Sequence, residues 1–394
     1  MTNRVATAMA GGSSAAASQA IVEGLKAKLG GDAPVLVLAF ASTTQPLQEV
    51  TAHLAAAFPG ATVLGASTAG EFTQERDMKQ GVSAFALAGD FKVFAGLGEG
   101  LNVDPLRAVG QAIDALPRTL EGYAHSTGLL LLDPMAGNGE EVTLLLAAQV
   151  GENEPLAGGA SGDDLAMKQT FVALGSKAAD NALVFARLFS KAPLGLGVCH
   201  GHTPLSVPLR VTRASGNVVA EIDGRPAWDV WREHTRSAAA AKGIDVDHLE
   251  AKDETPYLLR YEAGLATGAE HKIRAPLSRS ADGSISFACG IPEGTVFRIT
   301  ESVPEAQVTS AREAARRAKS GLAGKTVAGA LVFDCICRNL ILGDEFARAV
   351  RGMADELGNA PLAGFETYGE IALAAGDMSG FHNTTSVVLA FPTE

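Results

Sequence analysis

Gly364-Phe365-Glu366-Thr367-Tyr368-Gly369-Glu370 has two degenerate earlier copies, Gly65-Ala66-Ser67-Thr68-Ala69-Gly70-Glu71 and Gly158-Gly159-Ala160-Ser161-Gly162-Asp163-Asp164. Each opens on glycine, places a hydroxyl fourth (Thr68, Ser161, Thr367) and a carboxylate seventh (Glu71, Asp164, Glu370). Each also follows an aliphatic run and an amphipathic segment. Val35 to Phe40 and Pro46 to Phe58 lead to the first copy, Leu129 to Leu132 and Glu140 to Val150 to the second, Ala330 to Phe333 and Leu342 to Leu357 to the third. Short aliphatic runs before amphipathic helices predict βα units. The expected fold is therefore α/β: repeated βαβα units with mixed sheets, β-hairpin edges, and an antiparallel meander inserted before the last unit.

Crossovers between parallel strands share one hand, and polar residues at the carboxyl ends of strands face a common crevice. Thr68, Glu71, Ser161, Thr367 and Glu370 are on this ground expected to converge on a ligand. The alternative is that glycine and hydroxyl residues only shape three strand exits, since glycine permits close approach and positive φ.

Of the 394 residues, 47% are hydrophobic, with no apolar run near the length of a membrane span, which predicts a soluble chain without membrane insertion. The N-terminus has a lone Arg4 and then Ala, Gly and Ser, which is not a secretory signal and points to the cytoplasm. Four cysteines are too few for a disulfide scaffold and suit a reducing compartment. A formal charge of −12 repels phosphate backbones and argues against nucleic acid as a partner.

Along the chain, Val5 to Ala8 reads as a strand, and Ser13 or Ser14 as the cap of a helix that Gly30-Gly31 ends. Gly89-Asp90 between Val82 to Ala88 and Phe91 to Ala95 predicts a hairpin. Leu194 to Cys199 closes the first half as a strand. Between roughly Val207 and Thr300 the pattern changes to hairpins around Ser215-Gly216 and Asp282-Gly283, a helix bearing Trp228 and Trp231, and a strand at Tyr257 to Tyr261. This stretch is expected to separate the second and third units, and Ser302-Val303-Pro304-Glu305 to cap the next helix as a capping box. Two regions result, 1–215 with two repeats and 216–394 with the insertion and the third.

Asp334, Cys335, Cys337, Arg338 and Asn339 gather at the end of the last strand before its helix, which places Cys335, Arg338 and Asn339 among the candidate ligand contacts. The plain alternative has both cysteines as small buried hydrophobes and Arg338 paired with Asp344 or Glu345. Cys199-His200-Gly201-His202 sets two imidazoles on one side of an extended segment. With the Cys335 and Cys337 pair they make a loose tetrahedral zinc set, at spacings wider than a finger's. No nucleophile elbow, His-Glu-x-x-His or dinucleotide fingerprint occurs, so no motif specifies an enzyme. A Cys335 nucleophile is the residual enzymatic reading.

In this order, Gly65 to Glu71, Gly158-Gly159-Ala160, Gly201-His202, the Gly216-Asn217 hairpin with Glu221 to Ala227, Cys335 with Arg338, Gly364 to Glu370, and Phe381-His382-Asn383-Thr384-Thr385 resemble the FIST family over nearly the whole chain. The resemblance implies a sensory protein that binds a small ligand and signals to a partner. Its stand-alone bacterial subset includes haem proteins sensing nitric oxide, which act on histidine kinases or enzymes of cyclic di-GMP turnover. That subset makes haem an expected cofactor, with His200, His202 and His382 as candidate axial ligands. Hydroxyls, carboxylates, Arg338 and Asn339 instead suit a small polar metabolite such as an amino acid, since haem asks for an apolar slot. Tyr368 and Cys337 depart from the family pattern and leave both ligands open.

Overall fold

The computed structural model describes residues 2–137, 139–151, 154–268, 270–373 and 380–394. The chain is a mixed α/β protein in which one strand recipe is used three times. The first sheet runs Arg4–Gly11, Gly81–Ala88, Leu36–Ala41, Thr62–Ser67, Val172–Leu174, Lys177–Ala179. The second runs Phe91–Glu99, Ala182–Ser190, His125–Leu132, Leu156–Ala160, Glu370–Leu373, Phe381–His382. The third runs Gly195–His200, Thr385–Pro392, Val327–Cys335, Leu362–Thr367, Glu71–Thr73, Asp77–Met78. In each, the third and fourth strands are a parallel pair, and the other pairings are antiparallel.

The last two strands of every sheet are a hairpin given by a different unit. The hairpin after the first motif copy joins the third sheet, the hairpin after the third copy joins the second, and the one after the second copy joins the first. The exchange closes on itself, so each unit needs another to complete its sheet. The inner faces of all three sheets share one core that includes Phe40, Leu129, Val184, Phe333, Phe365 and Val387. Phe365 stacks on Phe40 at 4.6 Å and meets Phe333 edge-on at 5.8 Å, an arrangement favoured by the ring quadrupoles.

Helices cover the outer faces. Ser14–Leu29 starts where the Ser13 hydroxyl accepts the Ala16 N–H and stops where Gly30 turns left-handed at φ 62, as its sequence predicts. Pro105–Ile113 and Pro304–Ser320 occupy the same position in the second and third units. Both lie unusually close to their strands. A Cβ at Gly96 or Gly98 would overlap the carbonyls of Ala112 or Ala108, and one at Gly195 or Gly197 those of Ala318 or Ala314.

Four local expectations are corrected. Gly81–Ala88 is buried on both faces and sits inside the first sheet, so Gly89-Asp90 carries the chain to the second sheet and makes no hairpin. Gly195–His200 pairs with Thr385–Pro392, so the insertion falls inside the third unit, after its first strand. The Ser302 hydroxyl donates to the Gly201 carbonyl and accepts from Gln307, which leaves Pro304–Ser320 without a side-chain cap. Tyr257 lies in the helix Ala251–Arg260, whose buried Tyr257, Leu258 and Leu259 pack inward; the strand Tyr261–Thr267 begins after it.

The insertion, His202 to Ser302, forms a nine-stranded antiparallel sheet. It has its own core around Trp228, Trp231, Tyr257, Tyr261 and Phe297.

Candidate functional site

The three motif copies meet. Gly162 N–H donates to the Ser67 carbonyl at 2.8 Å, Ala69 N–H to Glu366 at 3.1 Å, and Ala160 N–H to Gly369 at 2.7 Å, so each copy is bonded to both others. The side chains expected to face a ligand are instead turned into the protein. Thr68, Glu71, Ser161, Thr367 and Glu370 are fully buried. Thr68 donates to Glu71, whose other oxygen accepts the Gly81 N–H at 3.1 Å; Thr367 donates to Glu370, whose other oxygen accepts the Thr385 N–H at 3.1 Å. Each pair thus pins the strand that ends its unit.

The second copy departs from this scheme. Ser161 donates to the Phe171 carbonyl, and Asp164 accepts from Ser42 and from the Thr43 N–H. The matching pair is Thr170 with Asp133, which accepts the Asn181 N–H just before Ala182–Ser190. Neither residue lies in the repeated heptapeptide, because a longer loop separates the motif from its exchanged strand here. The sequence signal was Asp133 directly after the aliphatic run.

Burial dominates the charge state of this hub. It pushes the Glu71 and Glu366 carboxyls up to about 8, from an ordinary 4.5. One Glu366 oxygen accepts from Asn339 at 2.5 Å; the other is buried without a hydrogen-bond partner among the described residues. Burial also holds the His200 and His382 imidazoles down to about 4, from an ordinary 6.5.

The signs predict a pH profile. Between pH 4.5 and 8 the native state keeps protons on Glu71 and Glu366 that the unfolded chain releases, so stability falls as pH rises. Between 6.5 and 4 the unfolded chain protonates imidazoles that the native state keeps neutral, so stability falls as pH drops. Between 4.5 and 6.5 the two slopes oppose each other. Urea midpoints are therefore expected to be lower at pH 8 than at pH 5.5, with a shallower decline in Glu366→Gln; a steady rise from 5.5 to 8 contradicts the assignment.

The Cys335 to Asn339 segment is also inward-facing. Arg338 is fully buried, with Nε on Asp334 at 2.8 Å, Nη1 on Ser310 at 2.9 Å and Gln307, and Nη2 on the Gln307 carbonyl at 2.9 Å. Asp334 also accepts from Ser386. The Arg338 partner is thus Asp334, one turn back, and neither Asp344 nor Glu345. Cys335 is buried beside Cys337, and that burial pushes its thiol well up. Among the described residues no group of three or more His, Cys, Asp and Glu is set to hold a metal ion.

A recess of about 260 Å³ opens where the insertion meets the three-unit body. It is lined by Cys199 and His200 of the third sheet's edge, Glu270, His271 and Lys272 of the insertion, and His382 of the exchanged hairpin. Sequence reasoning found His200 and His382 but not Glu270, His271 or Lys272, which lie in a stretch without motif. His202 lies apart from the lining, fully enclosed, its Nε2 3.5 Å from Glu262.

The two recess imidazoles, His200 and His382, are each hydrogen-bonded within the protein. His200 Nδ1 accepts the His202 N–H at 3.2 Å and its ring also bonds to the His271 backbone; His382 Nε2 donates to the Ala372 carbonyl at 3.1 Å. Glu270 and Lys272 bring charges of both signs to a lining that also holds Val198 and Ala372.

Residues 35–225 match the FIST N domain and residues 227–373 the FIST C domain. An uncharacterized protein of Methanocaldococcus jannaschii is 25% identical over 167 residues, 42% of this chain and 33% of its own length. An uncharacterized protein of Mycobacterium tuberculosis is 28% identical over 205 residues, 49% of this chain and 50% of its own. The chain spans a third to a half of the length of these curated relatives. A solved structure of cyanuric acid hydrolase from A. caulinodans aligns over the whole of both chains at 11% identity and a TM-score of 0.30, too slight a likeness to carry an argument. Among the described residues no helix is long and apolar enough to cross a membrane.

Proposed function

This chain belongs to the FIST family, and from that membership we propose that it is a non-catalytic sensor of a small polar metabolite, such as an amino acid, held in the recess between the insertion and the body. FIST domains are sensory domains for small ligands in signal transduction. The observation that carries the present reading is the lining itself: Glu270 and Lys272 present both charge signs, three imidazoles surround them, and the walls come from separately anchored parts of the chain. A ligand there touches the insertion, the third sheet and the exchanged hairpin at once. Its preference for one seating of the insertion is the free energy available for signalling. A histidine kinase or an enzyme of cyclic di-GMP turnover is the proposed receiver. The inward-facing Cys335, its thiol pushed up by burial, supports a non-catalytic reading, because a nucleophile needs the thiolate.

A metabolite screen by thermal shift tests this, since a ligand at 100 times its Kd stabilises by about 2.7 kcal/mol. The expected result is a saturable polar hit, lost in His382→Ala and recovered unchanged after incubation. A hit chemically converted by the protein overturns the non-catalytic part. Stoichiometric hemin with a Soret band that shifts with nitric oxide, alongside no polar hit, overturns the ligand class.

A further inference from the structure

Each unit leaves its first strand at the edge of a sheet: Arg4–Gly11 in the first, Phe91–Glu99 in the second, Gly195–His200 in the third. Such an edge offers unpaired N–H and C=O groups to any other strand, and charged side chains are one device that blunts it. Two of these edges are blunted alike. Lys28, in the last turn of Ser14–Leu29, donates to the Thr7 carbonyl at 2.9 Å, and Arg317, in the last turn of Pro304–Ser320, donates to the Val198 carbonyl at 2.9 Å. The corresponding helix of the second unit, Pro105–Ile113, is shorter and has no basic residue in its last turn.

The edge left open is apolar. The Gly100 N–H donates to the Asn181 carbonyl at 2.8 Å, so even-numbered residues of Phe91–Glu99 bond to Ala182–Ser190 and odd-numbered ones aim their N–H and C=O groups away from it. Glu99 closes one end: its N–H donates to Gln111 at 3.1 Å, and its carboxylate pairs with Lys177 at 2.5 Å. Among the described residues, nothing bonds the outward groups of Val93, Ala95 and Leu97. Val93 to Leu97 are all half-buried whichever face their side chains take, the pattern of a strand covered on both faces and open along its edge.

We propose that this strip, Val93 to Leu97, docks a second copy of the chain by antiparallel pairing of the two edges about Ala95. The strip is complementary to itself. Turned about Ala95, Val93 stands opposite Leu97, Ala95 opposite Ala95, and Phe94 opposite Gly96, which has no side chain to oppose the ring. The odd-numbered pairs each exchange two main-chain hydrogen bonds, and no charged side chain lies between Val93 and Leu97. Docking joins the two second sheets into one, with the recess residue His382 on the outermost strand of each copy. So short a ladder is a small interface, and the association is expected to be weak and concentration-dependent.

Sedimentation velocity of the full chain, from micromolar to millimolar concentration, tests the proposal. The expected result is a reversible shift from one chain to two. Ala95→Pro deletes both bonds at the axis without taking a hydrogen bond from the monomer, at an edge position where proline is tolerated. It should weaken association at least about tenfold and leave the melting temperature of the dilute protein largely unchanged. Amide exchange in the wild-type chain, read by NMR, decides independently of how that variant folds: the Val93, Ala95 and Leu97 amides should exchange fast when dilute and slowly when concentrated, while Phe94 and Gly96 stay slow throughout. A single-chain mass at every concentration overturns the proposal. So does a dimer that a folded Ala95→Pro leaves intact, or one in which those three amides exchange as fast as in the dilute protein.

Discussion

Arg338→Met is expected to lower the unfolding free energy by about 3–5 kcal/mol, the usual cost of stripping one partner from a buried ion pair. Arg338 and Asp334 are both fully enclosed, and the guanidinium also ties Gln307 and Ser310 of Pro304–Ser320 to the end of Val327–Cys335. Methionine fills much of the volume but leaves Asp334 with Ser386 alone, at a point where burial already disfavours its charge. Asp334→Asn in the Arg338→Met background should recover part of the loss, because it removes the orphaned charge. Equilibrium urea unfolding of the two single variants and the double variant measures this coupling. A loss below about 1 kcal/mol in Arg338→Met would mean that the network is not what joins the helix to the strand.

Gly197→Val is expected to be as damaging, costing about 3 kcal/mol or more, at the top of the range for overpacking. The obstacle is main chain: a Cβ at Gly197 overlaps the Ala314 carbonyl and comes within 2.6 Å of the Ala318 nitrogen, and no rotamer change relieves that. The helix Pro304–Ser320 must lift, taking Gln307 and Ser310 away from Arg338. Gly60→Val is the control, since a Cβ there meets nothing within 4 Å, and its effect should stay within about 0.5 kcal/mol. Thermal unfolding of both variants decides the matter; equal melting temperatures would remove close approach as the reason for glycine in this strand.

The repeated heptapeptide made the three units legible because it records a local event, the turn from a parallel strand into a hairpin. Where that hairpin goes is not local. Glu71–Thr73 pairs with residues nearly three hundred positions away, and a strand so short carries no periodicity that names its partner. The same limit explains Gly89-Asp90, a hairpin by composition that becomes a crossing because Gly81–Ala88 has both its sides taken by other strands of the first sheet. Helix ends read well where the cap is self-contained, as at Ser13 and Gly30. They failed at Ser302, whose hydroxyl had a better use across the chain junction.

The site was legible in composition more than in place. Thr68, Glu71, Thr367 and Glu370 do gather as the repeats imply, but burial turns them into braces for the sheet ends. His200 and His382 do border a recess. Glu270, His271 and Lys272 reach it only because the insertion folds back on the body, a packing event that no motif announces.

Hydrogen exchange read by mass spectrometry, with and without the polar hit from the metabolite screen, tests the sensory site most directly. Slowed exchange is predicted in Gly195–His200, Glu270–Arg274 and Glu370–Leu373, the strands whose residues wall or adjoin the recess. Slowing confined to other strands, with these three unchanged at saturating ligand, would contradict the assignment of the recess.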